Sequence, residues 1–309
     1  MIKKAKLRER FPVVFIFALT LCAFLEIGKV TDAMQGALSV CAHAVIPSLF
    51  PFLLLTEILM RTKGGQEALA LLGKPFSFCF RTSSAGGAVY LVGILFGFPL
   101  AAKVLCAYRE AGAISNKEAE RIFLFTNNTG PAFLIGGIGA RMLGSVRLGI
   151  FLYLIEIGVS FLFGCILGLF SKKEKEAPLP SPLREPFSLS IIVQKCSLQM
   201  LSICGYIALF SVLSAILSSF VKTKMLCGLL YSLCELGSAA TYICESLTKS
   251  VLCPSLLSFA VCFSGASVYL QSLDFLSKTD ISSKYYIPLK LLQGFCAFFL
   301  SYLLLPLLA

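Results

Sequence analysis

Charge is scarce in this chain. Only 14% of its 309 residues are Asp, Glu, Lys or Arg, 57% are apolar, and the mean hydropathy is +0.87. Soluble domains carry about 25% charged residues, so the composition excludes an ordinary soluble enzyme, a disordered chain and a fibrous repeat. The surface must face lipid. Histidine is nearly absent too: the single His43 excludes a paired-His zinc site and any His-rich metal centre. No phosphate-binding loop and no Gly-x-Ser-x-Gly turn occur, which leaves ATP-driven and acyl-transfer chemistry without support and calls for no cofactor. Paired cysteine spacing is missing as well. The 13 cysteines, Cys22, Cys41, Cys165, Cys204, Cys262 and Cys296 among them, lie within apolar stretches and read as small membrane-buried hydrophobes rather than disulfide or metal partners.

What charge there is has a pattern. The net charge is +11, but the basic residues fall mostly between apolar runs, as cytoplasmic loops require, and this argues against a nucleic-acid partner. Lys3, Lys4, Lys6, Arg8 and Arg10 precede an apolar run over 11–27 that is long enough to span and has no clean cleavage site, so it reads as an uncleaved first helix with a cytoplasmic N-terminus.

Runs of about 20 apolar residues cross a bilayer, and seven are expected, over 11–28, 33–60, 119–140, 146–170, 191–220, 255–276 and 285–308. Two more apolar stretches are interrupted in the middle. Residues 84–112 are broken by Gly97-Phe98-Pro99, and 225–250 by Glu235-Leu236-Gly237-Ser238. Each arm is too short to span, so both read as re-entrant hairpins. The resulting plan is all-α and polytopic. An N-terminal transmembrane helix (1–32) precedes a first repeat (33–170), with its hairpin at 84–112 and a broken helix at 119–140. A polar, Pro-rich cytoplasmic linker (171–189) leads to a second repeat (190–309), with hairpin 225–250 and broken helix 255–276. This topology puts most of the 27 basic residues on the cytoplasmic side and leaves Lys103 and Lys290 in the membrane.

The two halves share an order of events: a broken hairpin, then a polar interruption in the next span, Asn127-Asn128-Thr129-Gly130-Pro131 in one and Phe263-Ser264-Gly265-Ala266-Ser267 in the other. The hairpins enter from opposite sides, so the repeat is inverted. Paired, Gly/Pro-interrupted segments of this kind point to a secondary-transporter site. A mid-bilayer break exposes N–H and C=O groups that survive only where a helix, water or a substrate supplies partners. The free ends of half-helices also favour a carboxylate.

Lys103, one turn beyond Gly97-Phe98-Pro99, needs a partner in the membrane. An anionic substrate or Glu235 would serve. Asn127, Asn128 and Thr129 supply donors and acceptors where the helix unwinds, and Ser264, Ser267 and Gln271, with Ser238 at the second hairpin, are their counterparts. Glu57 has Arg61 four residues on and reads as an interfacial pair. Glu156 reads equally as a proton-coupling or a hydrogen-bonded buried carboxylate, Asp274 and Lys290 stay unassigned, and His43 reads as a core or interface residue. A Ser/Lys membrane hydrolase built on Lys103 is the weakest alternative.

Four motifs carry a resemblance: Pro47-Ser48-Leu49-Phe50-Pro51-Phe52, Gly97-Phe98-Pro99-Leu100-Ala101-Ala102-Lys103, Asn127-Asn128-Thr129-Gly130-Pro131-Ala132-Phe133, and the run from Phe263 to Gln271. Together they resemble the sporulation integral membrane proteins of the YlbJ (SpoVV) type, with the nucleoside-recognition or Gate domain, over roughly 33–292. The hairpin-plus-broken-helix plan is also similar to that of concentrative nucleoside transporters. The resemblance implies passage of dipicolinic acid, a planar aromatic dianion, across the outer forespore membrane of a spore former. It would bind at Gly97, Phe98, Pro99, Lys103, Asn127, Asn128, Thr129, Glu235, Ser238, Ser264, Ser267 and Gln271. A nucleoside or nucleobase carrier and a non-transporting spore-envelope assembly protein remain the alternatives. The expected partners are the anionic substrate and the bilayer, with a homo-oligomer left open.

Overall fold

The computed structural model describes residues 17, 20–178, 188–247, 250 and 252–308, and every regular element among them is helical. The first expected span and its basic leader lie largely outside these residues, as do Lys249 and the middle of the linker. The principal helices among the described residues are α1 (Ile27–Arg61), α2 (Lys63–Phe80), α3 (Ser84–Phe96), α4 (Leu100–Glu110), α5 (Asn116–Thr126), α6 (Ala132–Met142), α7 (Val146–Leu169), α8 (Leu189–Ser218), α9 (Lys224–Cys234), α10 (Leu236–Leu247), α11 (Leu252–Phe263), α12 (Gly265–Leu276) and α13 (Tyr286–Leu304). Hydroxyls start several of them. The side chains of Thr62, Ser83, Ser115, Ser145 and Thr223 each accept an N–H of the first turn that would otherwise lack a partner.

Among the described residues, five stretches are long and apolar enough to cross a membrane: α1, α7, α8, α11 with α12, and α13; counting the bent pair α2–α3 makes up to six. Five of the expected spans, 33–60, 146–170, 191–220, 255–276 and 285–308, fall on these stretches, and the first, 11–28, lies largely outside the described residues. The segment 119–140, expected as a broken helix, is two eleven-residue helices, α5 and α6, parted by Asn127–Pro131. No helix is expected from the sequence over residues 61–83. They hold α2, an 18-residue helix bent by 102° from α3. Lys63, Gly64-Gly65, Lys74 and Pro75 disguise its apolar face, and Gly73 lets its backbone close on Gly87 and Ala88 of α3, where any Cβ would collide. The aromatic rings of Phe80, Tyr90, Phe125 and Phe161 fill the space behind, with Phe80 within 4.8–5.3 Å of the other three.

The linker is also less free than expected. Over 172–178 the chain is irregular, yet the Glu176 carboxylate accepts the N–H and hydroxyl of Ser84, and the Glu118 carboxylate those of Ser83. Two acidic side chains thus cap the start of α3, where a helix end favours negative charge.

At 1.5 Å per residue the 35 residues of α1 measure about 52 Å, more than a hydrocarbon core needs. A wide π-type turn over Cys41–Val45 interrupts its middle, and Arg141 of α6 donates to the His43 carbonyl there. His43 itself is exposed and turns back to the Ser39 carbonyl at 3.0 Å. Against this ruler the two post-break helices run in opposite directions. Both start beside the middle of α1, with Phe98 and Leu236 near Val45–Phe52; α4 then passes along Glu57 and Met60, and α10 along Val40, Ala37 and Asp32.

Candidate functional site

The helices stop where the polar, Gly and Pro signals fall, and the four breaks meet in pairs. In the first half Gly97 (φ +82°) turns the chain out of α3, the Phe98–Pro99 peptide is cis, and Phe98 N–H donates to the Asn128 carbonyl at 2.7 Å. A side chain at Gly97 would meet the Gly130 nitrogen at 2.5 Å, so both its torsion and its surroundings require glycine. In the second half an extended Glu235 separates α9 from α10. Ser264 (φ +69°) and Gly265 (φ +80°) separate α11 from α12, with Gly265 seated against the Cys234 carbonyl.

Backbone freed at a mid-membrane break costs several kcal/mol if it finds no partner, and the first break recruits its partners from other helices. Lys290 Nζ of α13 donates to the Asn127 carbonyl at 3.1 Å, and Gln293 Nε2, one turn on, to the Leu124 carbonyl at 2.9 Å. Glu156 of α7 accepts the Thr129 N–H at 2.6 Å, and Asn127 Nδ2 donates to the Ser272 and Tyr286 hydroxyls at 2.9 and 2.8 Å. Lys290 and Glu156 are each 1% exposed. The second break is served locally: Glu235 folds its own carboxylate over the N–H groups of Gly237 and Ser238 at 2.7 and 2.5 Å, and the Ser264 hydroxyl returns to the Val261 carbonyl at 2.9 Å.

Between the breaks lies a cavity walled by Phe52, Phe96 and Phe133 and by polar groups from both halves. Of the twelve residues expected to bind substrate, Phe98, Thr129, Glu235 and Gln271 line it. The Thr129 hydroxyl and Gln271 Oε1 are buried without a hydrogen-bond partner among the described residues, while Gln271 Nε2 donates to Ser267 Oγ at 3.1 Å. Gly97, Asn127, Asn128 and Ser264 shape the breaks behind the wall. Pro99 lines an adjoining recess, and Ser238 lines a separate one at the Ile27 end of α1, where its hydroxyl meets that of Ser211.

Lys103 is not gathered with Asn127–Thr129, and its partner is not Glu235. Its Nζ lies 2.6 Å from Glu57 and 3.2 Å from Gln199 Oε1, near the Arg61 end of α1. Glu57 pairs with Arg61 at 3.0 Å, and Lys195 approaches the same carboxylate at 3.4 Å. The i,i+4 spacing therefore found only part of this cluster. Lys195 and Gln199 come from α8, more than 130 residues beyond Glu57 in the chain, and no local pattern joins them. A signal for Gln293 and Lys290 was present: two long polar side chains, three residues apart, in an otherwise apolar span are rare enough to need a reason.

Chemically, the arrangement can hold a flat apolar body between phenylalanines and hydrogen-bond its edge through Thr129 and Gln271. It offers no nucleophile paired with a base. In sequence the chain is similar to a "Sporulation integral membrane protein YlbJ" of Bacillus subtilis (strain 168), 30% identical over an alignment of 318 positions that covers 89% of this chain and 78% of that protein. No family model matches the chain, and no solved structure does.

Proposed function

The chain belongs to the family of the sporulation integral membrane protein YlbJ, and on that premise we propose that it acts in the membrane during sporulation as a carrier of dipicolinic acid or a closely related aromatic dicarboxylate. It works by alternating access in the outer forespore membrane, and the substrate leaves chemically unchanged. The observation that carries this reading is the cavity walled by residues of three helix breaks and by Val268 and Gln271 of α12, which follows the fourth, the setting in which secondary transporters bind at mid-membrane. The opposite courses of α4 and α10 along α1 support two inverted halves able to rock against each other. The phenylalanine walls suit a planar ring, Thr129 and Gln271 its polar edge, and the start of α6 at Ala132, which faces the cavity, a carboxylate.

A nucleoside is the second reading. Thr129 and Gln271 are neutral, and the one ionisable side chain on the cavity wall, Glu235, is acidic. The test is flux of labelled dipicolinate and labelled uridine into proteoliposomes, with the recovered substrate checked for chemical change. Saturable dipicolinate flux that falls about tenfold in Thr129→Val/Gln271→Leu is expected. Uridine flux alone would replace the substrate; a changed substrate would indicate an enzyme; no flux of either through well-folded protein would favour a role in assembly.

A further inference from the structure

Lys103 lies outside the cavity, in a recess at the Arg61 end of α1. The charged walls of that recess are Lys103, Lys195, Lys278, Glu57 and Glu110. Glu57 is 4% exposed and already neutralised by the buried Arg61, whose Nε and Nη2 both donate to Oε1 at 3.0 Å. Lys103 and Lys195 therefore bring positive charge to a carboxylate that does not need it, and Lys278 adds a third ammonium against Glu110. About two unit charges are left over in a recess with low-dielectric walls, where such charge acts more strongly than on open surface.

The recess leads inward. Lys278 and Phe275 also line the next pocket, which includes Gln199, Asp274 and Gln271, and Gln271 lines the central cavity as well. Gln199 holds Lys103 through Oε1 and has its Nε2 buried without a partner among the described residues. At the opposite end of α1 the corresponding recess carries Asp32 and Glu245 and, among the described residues, no basic side chain.

We propose that the Lys103–Lys195–Lys278 recess is a separate, outer anion-binding site, which loads a small dicarboxylate before it reaches the central cavity and selects dianions over monoanions. This rests on the carrier reading given above. Glu57 is its positioning residue: pinned by Arg61, it holds Lys103 and Lys195 facing the same space.

The experiment compares dipicolinate with picolinate, which has one carboxylate fewer, using Lys195→Gln, Lys278→Gln and the double variant in proteoliposomes. Lys195 is half-exposed and Lys278 exposed, so these changes leave the fold intact. Because the interaction scales with ligand charge, a rise of about tenfold in dipicolinate KM in the double variant pairs with only about threefold for picolinate, at unchanged maximal rate. High salt should erase the difference. Lys63→Gln, near the same end of α1 but outside the recess, should change neither constant. No change in KM, equal factors for both ligands, or an equal effect of Lys63→Gln overturns the proposal and leaves the carrier intact. Equilibrium dialysis with labelled dipicolinate separates the two readings if no flux is seen. Binding weakened by the double variant upholds the outer site and defeats the carrier, whereas no binding defeats both.

Discussion

The two halves break their helices in the same order but support the breaks differently. At Asn127–Pro131 the exposed backbone is held by Lys290, Gln293 and Glu156, which reach in from α7 and α13. At Glu235 and Ser264 the chain caps itself within three residues. A break tied to two other helices can move only if those helices move. A self-capped break carries its hydrogen bonds with it. The first break is thus tied to α7 of its own half and to α13 of the other, the second only to itself, and the cavity lies between them.

The largest test of this contrast is Lys290→Met. It strips the Asn127 carbonyl of its donor and leaves Glu156 buried without the cation nearby, at a cost of about 3–5 kcal/mol, and should be read as a collapse of thermal stability in detergent. Glu156→Gln should cost less, about 1–2 kcal/mol, since its amide oxygen can still accept the Thr129 N–H. If both variants melt like the parent, the first break is not anchored from outside. Glu235→Ala is expected to fall between them at about 1–3 kcal/mol, the price of two uncapped N–H groups. Smaller and opposite in sign is Ser264→Gly, which removes the strain of a left-handed serine and should stabilise by about 1 kcal/mol, whereas Gly265→Ala should destabilise. A loss on Ser264→Gly would mean that its bond to Val261 outweighs the torsion and that the second break is held more firmly than argued.

Much of this was readable from residues alone, for a local reason. Gly97-Phe98-Pro99, the Asn-Asn-Thr-Gly-Pro run, Glu235 with Gly237, and Ser264-Gly265 are all sites where the backbone cannot continue a helix cheaply, so the interruptions announce themselves. What the sequence hid was tertiary. Nothing near Lys103 in the chain names Glu57 or Gln199, and nothing near Asn127 names Lys290, because such pairs exist only once helices pack. The α2 helix was missed for the converse reason: glycines, a proline and lysines argue locally against a helix whose formation depends on burial against α3.

One link between the halves lies outside the membrane and is open to titration. Arg109, near the end of α4, donates from Nε and Nη2 to Asp280, in the loop after α12, at 2.9 and 2.7 Å. The Arg109 guanidinium holds the Asp280 carboxyl below its ordinary value of 3.8. A carboxyl lowered in the folded protein adds stability above its unfolded pKa and loses it as pH falls through the folded one. Melts from pH 7 to 5 should therefore be unaffected by this pair, with its small contribution disappearing only below the ordinary aspartate range. Both groups are solvated, so the effect is the smallest expected here. Arg109→Gln should remove that contribution at neutral pH, and with it the loss in the acid range, while leaving the losses from Lys290→Met and Glu235→Ala unchanged. Should Arg109→Gln instead deepen the loss on Glu235→Ala alone, the second break would be coupled to the first half through this loop, and the contrast between the two breaks would need to be redrawn around Asp280.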